Sequence, residues 1–344
     1  MTHRLATTGL LARVLGCLAA LFACLSAHAA DPPTLKLAVG GKATIYYLPL
    51  TIAERKGFFK DEGLNVEVTD FNGGSKALQA LVGGSADMAA GSFEHVVAMA
   101  AKGQPIQSAM VLGRHAGVVL ALSPERAATY RSPKDLAGAR IGVTAPGSGT
   151  HMFLNSWMTR NGVDPKSVSI VGVGSGAAAV AAIRSKQVDA IANLDPVMTL
   201  LQREQAIKVI VDGRTDAGMQ AAYGSPYAAA ALFGKPEYIE QHAESVERLV
   251  KAVRRAVVWM QQATPEAIAD TVPSTYYTNK DDYIAALRQN LPSFAPNMAM
   301  TPEVAANVLK VLQQFDPLVA AARVDLGKTY SNRFVDTRTA RSAP

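Results

Sequence analysis

The sequence predicts an α/β chain folded as two similar lobes with a cleft between them, and two observations carry this. The first is an internal repeat. A Gly/Ser loop, an apolar helix face and an aspartate leading into a strand occur as GSKALQALVGGSADMAAG over Gly74–Gly91 and again as GAAAVAAIRSKQVDAIAN over Gly176–Asn193. Gly74 and Gly176, Leu78 and Val180, Leu81 and Ile183, and Asp87 and Asp189 each stand 102 positions apart. The second is that each copy follows two strand-like runs, LKLAV and LNVEV before the first, RIGVT and VSIVGV before the second. The period is too long and too approximate for a solenoid, and a cleft between lobes is where small ligands usually bind.

The elements follow in order. Leu35 to Gly40 reads as a strand, and Gly40-Gly41-Lys42-Ala43-Thr44 as its loop. Leu48, Ile52, Ala53 and Phe59 recur at helical spacing, while Leu64 to Thr69 alternates as a strand does. Asn72-Gly73-Gly74-Ser75 introduces a helix, Asp87 to Gly91 is a short buried strand, and a helix runs from Phe93 to Lys102. Two apolar runs, Ile106 to Leu112 and Val118 to Leu122, bring the chain to a crossing. Ser132-Pro133-Lys134-Asp135 is a helix start that introduces the second lobe. There the strand Arg140 to Thr144 feeds the loop Ala145–Thr150 and a helix from His151 to Arg160. Asp195-Pro196 opens a further helix, Ile207 to Val211 is the last strand of that lobe, and the chain returns near Tyr223 to Ala231. A long helix then places Val246, Leu249, Val250, Val253, Val257 and Met260 on one stripe. The expected organisation is lobe 1 over 31–122 and 224–336, lobe 2 over 123–223, and a loose tail over 337–344.

Residues 1–30 read as an export signal. His3 and Arg4 form the polar start, an apolar stretch runs from Leu10 to Leu25 with Arg13 inside it, and Ala27-His28-Ala29 supplies the small-x-small cleavage pattern. The unbroken run from Val14 to Leu25 falls short of the roughly 20 residues that span a bilayer. Leu21-Phe22-Ala23-Cys24 is a weaker fit to a lipidation box, because of Phe22. Both cysteines, Cys17 and Cys24, lie in this segment, so the exported chain carries no disulfide, thiolate metal site or cysteine nucleophile. Without Arg4 and Arg13, the 34 basic residues fall to 32 against 28 acidic ones, a mild excess that does not point to nucleic acid.

The chemistry resides in the loops. Ser75, Ser148 or Thr150, and Ser175 stand where helix N-termini meet strand ends, and such ends attract anions; ordinary helix caps would show the same residues. Tyr46, Tyr47 and Phe93 either stack on a flat ligand or belong to the core. Arg114 either pairs a carboxylate or sulfonate or makes a hinge salt bridge, and Asp195 either accepts from ligand or caps its helix. His95, His115, His151 and His242 show no metal-binding spacing, and no G-x-S-x-G elbow is present. No cofactor is expected. VSIVGVGSGA over Val168–Ala177 matches a dinucleotide-binding fingerprint weakly, but the internal repeat accounts for the same region.

PLTIAERKGFFKDEGLNVEV over Pro49–Val68, the GGSKALQALVGGSADMAAG that follows, and Pro133-Lys134-Asp135-Leu136-Ala137-Gly138-Ala139-Arg140-Ile141-Gly142-Val143 resemble the solute-binding proteins of ABC importers. The branch is that for nitrate, sulfonates, taurine and thiamine-pyrimidine precursors, the SsuA/Thi5-like or NMT1 type. The resemblance covers about Thr34 to Arg333. It implies a two-lobe periplasmic-binding fold of the second type with two hinge crossings. It also implies a monomer in the periplasm that captures a small anionic or polar solute by lobe closure and delivers it to an inner-membrane permease driven by a separate ATPase. Ligand contacts carried over by position fall on the Gly40–Tyr47 loop with Thr44, Tyr46 and Tyr47, on Gly74 and Ser75, on Ser92 and Phe93, on Gly147, Ser148, Gly149 and Thr150, and on Ser175 and Asp195. Two other classes remain open: a pyrimidine-precursor synthase on the same fold, whose family depends on a cysteine-rich segment absent here, and a ligand-dependent periplasmic sensor.

Overall fold

The computed structural model describes residues 32–224, 226–294 and 297–335. The expected export signal, its cleavage site, both cysteines and the 337–344 tail lie outside the described residues.

Ten strands form two five-stranded mixed sheets. The first contains β1 (Thr34–Val39), β2 (Asn65–Asp70), β3 (Met88–Ser92), β4 (Gln107–Val111) and β10 (Ala230–Gly234), in the order β2-β1-β3-β10-β4. The second contains β5 (Val119–Leu122), β6 (Arg140–Val143), β7 (Ser169–Gly172), β8 (Ala190–Asn193) and β9 (Lys208–Asp212), in the order β7-β6-β8-β5-β9. In each sheet the first three strands are parallel and the fourth position is an antiparallel strand. Both antiparallel strands also shift register against their outer neighbour, between Leu232 and Phe233 in one sheet and between Leu120 and Ala121 in the other.

The repeated aspartate has a structural task that is the same in both sheets. Lys36 N donates to Asp87 Oδ2 at 2.7 Å, and Asp87 N returns a bond to Lys36 O at 2.9 Å. Arg140 N donates to Asp189 Oδ2 at 2.8 Å, and Asp189 N bonds Arg140 O at 2.8 Å. Each aspartate thus closes a two-way clamp on the start of the neighbouring parallel strand and satisfies donors that would otherwise be orphaned.

The fourth strands exchange. The sequence places Val118 to Leu122 with the first lobe, but β5 pairs with β8 and β9 in the second sheet. The chain therefore crosses between β4 and β5 and returns before β10. The reason the sequence misplaces β5 is that all four of its residues are buried. A strand covered on both faces reads as a plain apolar run and carries no mark of which sheet it joins.

The core follows the periodicity. Leu35, Leu37 and Val39 face one layer and Ala38 the other. The helix Ala243–Gln262 covers the first sheet with Val246, Leu249, Val250, Val253, Val257 and Met260, all buried. No helix among the described residues is long and apolar enough to cross a membrane.

Candidate functional site

The strand-end loops of the two sheets meet face to face. Gly73 precedes the helix Gly74–Val82 at φ 113°. A Cβ there would stand 2.8 Å from the Ala145 Cβ and 2.9 Å from the Ser148 hydroxyl, so glycine permits the loops to touch. Gly41 does the same at φ 109°, where a Cβ would come within 2.6 Å of Ser175 Oγ.

Ser148 stands at the N-cap of the helix Gly149–Arg160, yet its side chain does not cap that helix. It reaches across instead: Ser75 N donates to Ser148 Oγ at 3.1 Å, and the two hydroxyls are 3.1 Å apart. Ser75 Oγ donates to Pro146 O at 2.9 Å. His95 Nε2 donates to Gly147 O at 3.0 Å, and Ile45 N donates to Asp195 O at 3.0 Å. Ser75, His95 and Ile45 on the side of the first sheet are thus bridged to Pro146, Gly147, Ser148 and Asp195 on the side of the second.

Between these loops lies a cavity of 20 Å³, lined by Tyr46, Tyr47, Gly74, Ser92, Ser148 and Thr150 among others. That is room for about one water molecule. At its rim a larger hollow of 470 Å³ opens between Asn72 and Lys76 on one side and Thr144, Pro146, Gly174 and Ser175 on the other. A hollow of this size falls in the range of small-ligand pockets. The first turn of the helix Ala177–Arg184 lines it, so unpaired backbone N–H groups are available there to an anion.

The expected site residues divide accordingly. Tyr46, Tyr47, Gly74, Ser75, Ser92, Gly147, Ser148, Gly149 and Thr150 are brought together around the small cavity or the bridge across it, and Ser175 lines the hollow. Thr150 is engaged within its own loop, where Oγ1 accepts from Thr144 N at 3.1 Å and pairs with the Thr144 hydroxyl at 2.9 Å. Thr44 is buried and donates to Gly41 O at 2.7 Å. Phe93 is fully buried in the core, which corrects the stacking alternative for that residue: its ring has no free face.

Arg114 and Asp195 are placed apart. Arg114 is exposed at the first crossing and donates to Pro292 O at 3.2 Å and to Asp216 Oδ1 at 3.3 Å; it lines neither the cavity nor the hollow. The hinge salt bridge is the alternative realised. Asp195 is buried, with Oδ1 accepting from Thr199 N at 2.8 Å and Oδ2 accepting from Arg214 Nη1 at 2.9 Å and Asn290 Nδ2 at 2.6 Å. Its oxygens are committed to the helix cap and to the arginine.

Sequence reasoning passed over Asn72, Lys76 and Thr144, although a lysine directly after Gly74-Ser75 was a readable signal for an anion-facing loop. It also left Glu94 and His95 without a role. Burial pushes the Glu94 carboxyl up to about 7, against weaker opposing hydrogen bonds that include the Tyr227 and Tyr223 hydroxyls. Among the described residues only Tyr223, at a long 3.4 Å, hydrogen-bonds Oε1, and Oε2 has no partner. Burial holds His95 down to about 4, so at neutral pH it is an uncharged donor. Among the described residues no cluster of three or more His, Cys, Asp or Glu is placed to hold a metal ion.

The family profile described as NMT1/THI5 like matches residues 44–268. The putative binding protein YtlA of Bacillus subtilis is 22% identical over 244 residues, 70% of each chain. The 4-amino-5-hydroxymethyl-2-methylpyrimidine phosphate synthase of Uromyces fabae is 34% identical over 102 residues, 29% of each. A solved structure from Bordetella bronchiseptica RB50 is 42% identical with a TM-score of 0.84, over 88% of this chain and 95% of that one. The alkanesulfonate-binding protein SsuA of Xanthomonas axonopodis, solved with MOPS bound, shares the fold at 16% identity and a TM-score of 0.69, over 88% of this chain and all (100%) of that one.

Proposed function

The chain belongs to the NMT1/THI5-like family, and on that premise we propose that it is the solute-binding component of an ABC importer, capturing a small anionic or polar organic solute between its two sheets. The observation that carries this reading is the 470 Å³ hollow at the strand ends, where Lys76, Asn72, Ser175 and the first turn of the helix Ala177–Arg184 converge. A cation, hydroxyls and unpaired backbone N–H groups on one concave surface favour an anionic end such as a sulfonate, carboxylate or nitrate. The Ser75–Ser148 bridge would hold the lobes together over the solute, and delivery would be to a permease in the inner membrane from the periplasm. The putative binding protein YtlA matches 70% of the chain, whereas the synthase of Uromyces fabae matches 29%, which supports capture over turnover.

Native mass spectrometry of protein prepared from periplasm, followed by a thermal-shift screen of sulfonates, nitrate, aromatic acids and pyrimidines, tests this. A solute at a hundred times its dissociation constant should add about 2.7 kcal/mol of stability. Chemical alteration of the solute would instead reinstate the enzyme, and the absence of both bound solute and shift would leave the sensor or a solute class outside the screen. With a solute in hand, Ser148→Ala should weaken its binding by about 1–3 kcal/mol by removing the cross-sheet acceptor. Calorimetry reads this directly; an unchanged affinity would assign Ser148 to the loop alone.

A further inference from the structure

The turn Ser175-Gly176-Ala177, which leads into the helix Ala177–Arg184, lines the 470 Å³ hollow on one side. The same three residues line a second pocket, of 180 Å³. Hollow and pocket are two basins that share this turn as a common wall. The crest of the wall is bare. Gly176 and Ala177 are exposed, and a Cβ built on Gly176 would meet no atom within 4 Å. A bound molecule can therefore pass over Gly176 from one basin to the other.

The two basins differ in chemistry. The hollow is polar, with Lys76, Asn72 and Ser175 in its lining. The pocket has Val180, Pro196, Val197 and Leu200 on one wall, and Tyr276 and Tyr277 on the other. Pro196, Leu200 and both tyrosines are half-buried, so each keeps surface that a ligand can reach. The tyrosine hydroxyls are already engaged: Tyr276 pairs with Thr51 Oγ1 at 3.2 Å, and Tyr277 donates to Ala269 O at 3.4 Å. What the pair offers a ligand is ring surface. Asp282 is the one charged side chain in the pocket's lining, and it is paired with Arg203. A second acidic group would be repelled there, and an ammonium would find the carboxylate committed. The volume sets the amount of hydrocarbon, because a cavity of about 150 Å³ admits a benzene ring, or about six carbons.

We propose that hollow and pocket are the head and tail sites of one solute, an amphiphilic anion. Its acidic group lies in the hollow, and its uncharged hydrocarbon chain crosses Gly176 and packs between Leu200 and the two tyrosines. The proposal rests on the hollow being the solute site and adds what that site selects. The chain must be long enough to clear the turn, which excludes nitrate and taurine. Burial of the chain supplies affinity, and the head fixes orientation.

Calorimetric titration of the full-length exported chain with unbranched alkanesulfonates and alkanecarboxylates of two to ten carbons tests it. The dissociation constant should fall at least about tenfold from two carbons to eight, by about fourfold per methylene once the chain reaches the pocket. Leu200→Trp fills the pocket from a half-buried wall position; it should remove this gain and leave the two-carbon anions unchanged. Gly176→Leu, which sets a side chain across the path, should also flatten the gain and serves if the tryptophan variant does not fold. Lys76→Ala should weaken every length by one common factor. Anions that bind equally at all lengths would overturn the tail site and leave the hollow as the solute site. A gain that survives both Leu200→Trp and Gly176→Leu would put the chain elsewhere and also overturn it. Failure of both series at every length would overturn the reading of the hollow, and the proposal with it.

Discussion

Replacing Arg214 with methionine should cost the fold about 3–5 kcal/mol, the range seen when one partner is taken from a buried ion pair. The Arg214 side chain is 1% exposed and Asp195 is 0% exposed. Arg214 Nη1 donates to Asp195 Oδ2 at 2.9 Å and to Thr199 Oγ1 at 3.1 Å; Nη2 donates to Gln202 Oε1 at 2.9 Å and to Asp212 Oδ2 at 2.6 Å; Nε donates to Asp212 Oδ1 at 2.7 Å. Methionine fills similar space but leaves the Asp195 carboxylate buried with only Asn290 Nδ2 and Thr199 N to hold its charge. The loss also reaches between the sheets, because Asn290 ends the helix Lys280–Asn290 while Asp195 follows β8. Urea denaturation at pH 7 measures the cost. Adding Asp195→Asn to the Arg214→Met variant should restore part of it, since the uncompensated charge is then gone. A single-variant loss under about 1 kcal/mol would mean that water reaches Asp195 and the pair contributes little.

Glu94→Gln should change the pH dependence of stability by roughly 3 kcal/mol between pH 4.5 and pH 8, the equivalent of the shift of Glu94 from 4.5 to about 7. The sign follows from proton counts. Between these values the folded chain holds a proton on Glu94 that the unfolded chain has released, so this residue lowers stability as pH rises. His95 acts the other way. With its value lowered from 6.5 to about 4, it stays neutral in the fold while the unfolded chain binds a proton, so it raises stability with pH across that window. The two slopes cancel over most of pH 4.5 to 6.5, and above that only the tail of the Glu94 loss remains. The glutamine variant keeps the rising His95 limb alone. Relative to wild type it should therefore gain stability steadily from pH 4.5 to 7 and then hold the gain. Urea denaturation of both proteins at pH 4.5, 6 and 8 separates the curves. A difference that stays constant across the three would show that Glu94 is hydrated in the fold.

The repeat made the two-sheet architecture readable, because Asp87 and Asp189 perform the same local task and sit in the same local pattern. The Gly/Ser loops at Gly40–Gly41, Gly73–Ser75 and Gly147–Ser148 were equally readable as places where strand ends come close. Lys76 and Asn72 were overlooked because a single exposed lysine or asparagine beside a helix start has no pattern of its own. The sequence assigns Glu94 and His95 no task, since their burial depends on Tyr223, Tyr227 and the Gly147 loop, all remote in sequence.

Strands, helix faces and turns were determined by the sequence alone because each depends on neighbours a few positions away: alternation, helical spacing, a proline at a helix start. Tertiary structure alone decided that β5 joins the second sheet, that Arg114 pairs with Asp216, that Asp195 is held by Arg214, and that Ser148 spans to Ser75, 73 positions away. A side chain's partner is whichever group the assembled fold brings within about 3 Å with its own hydrogen-bonding need unmet, and for these residues that group lies on another element.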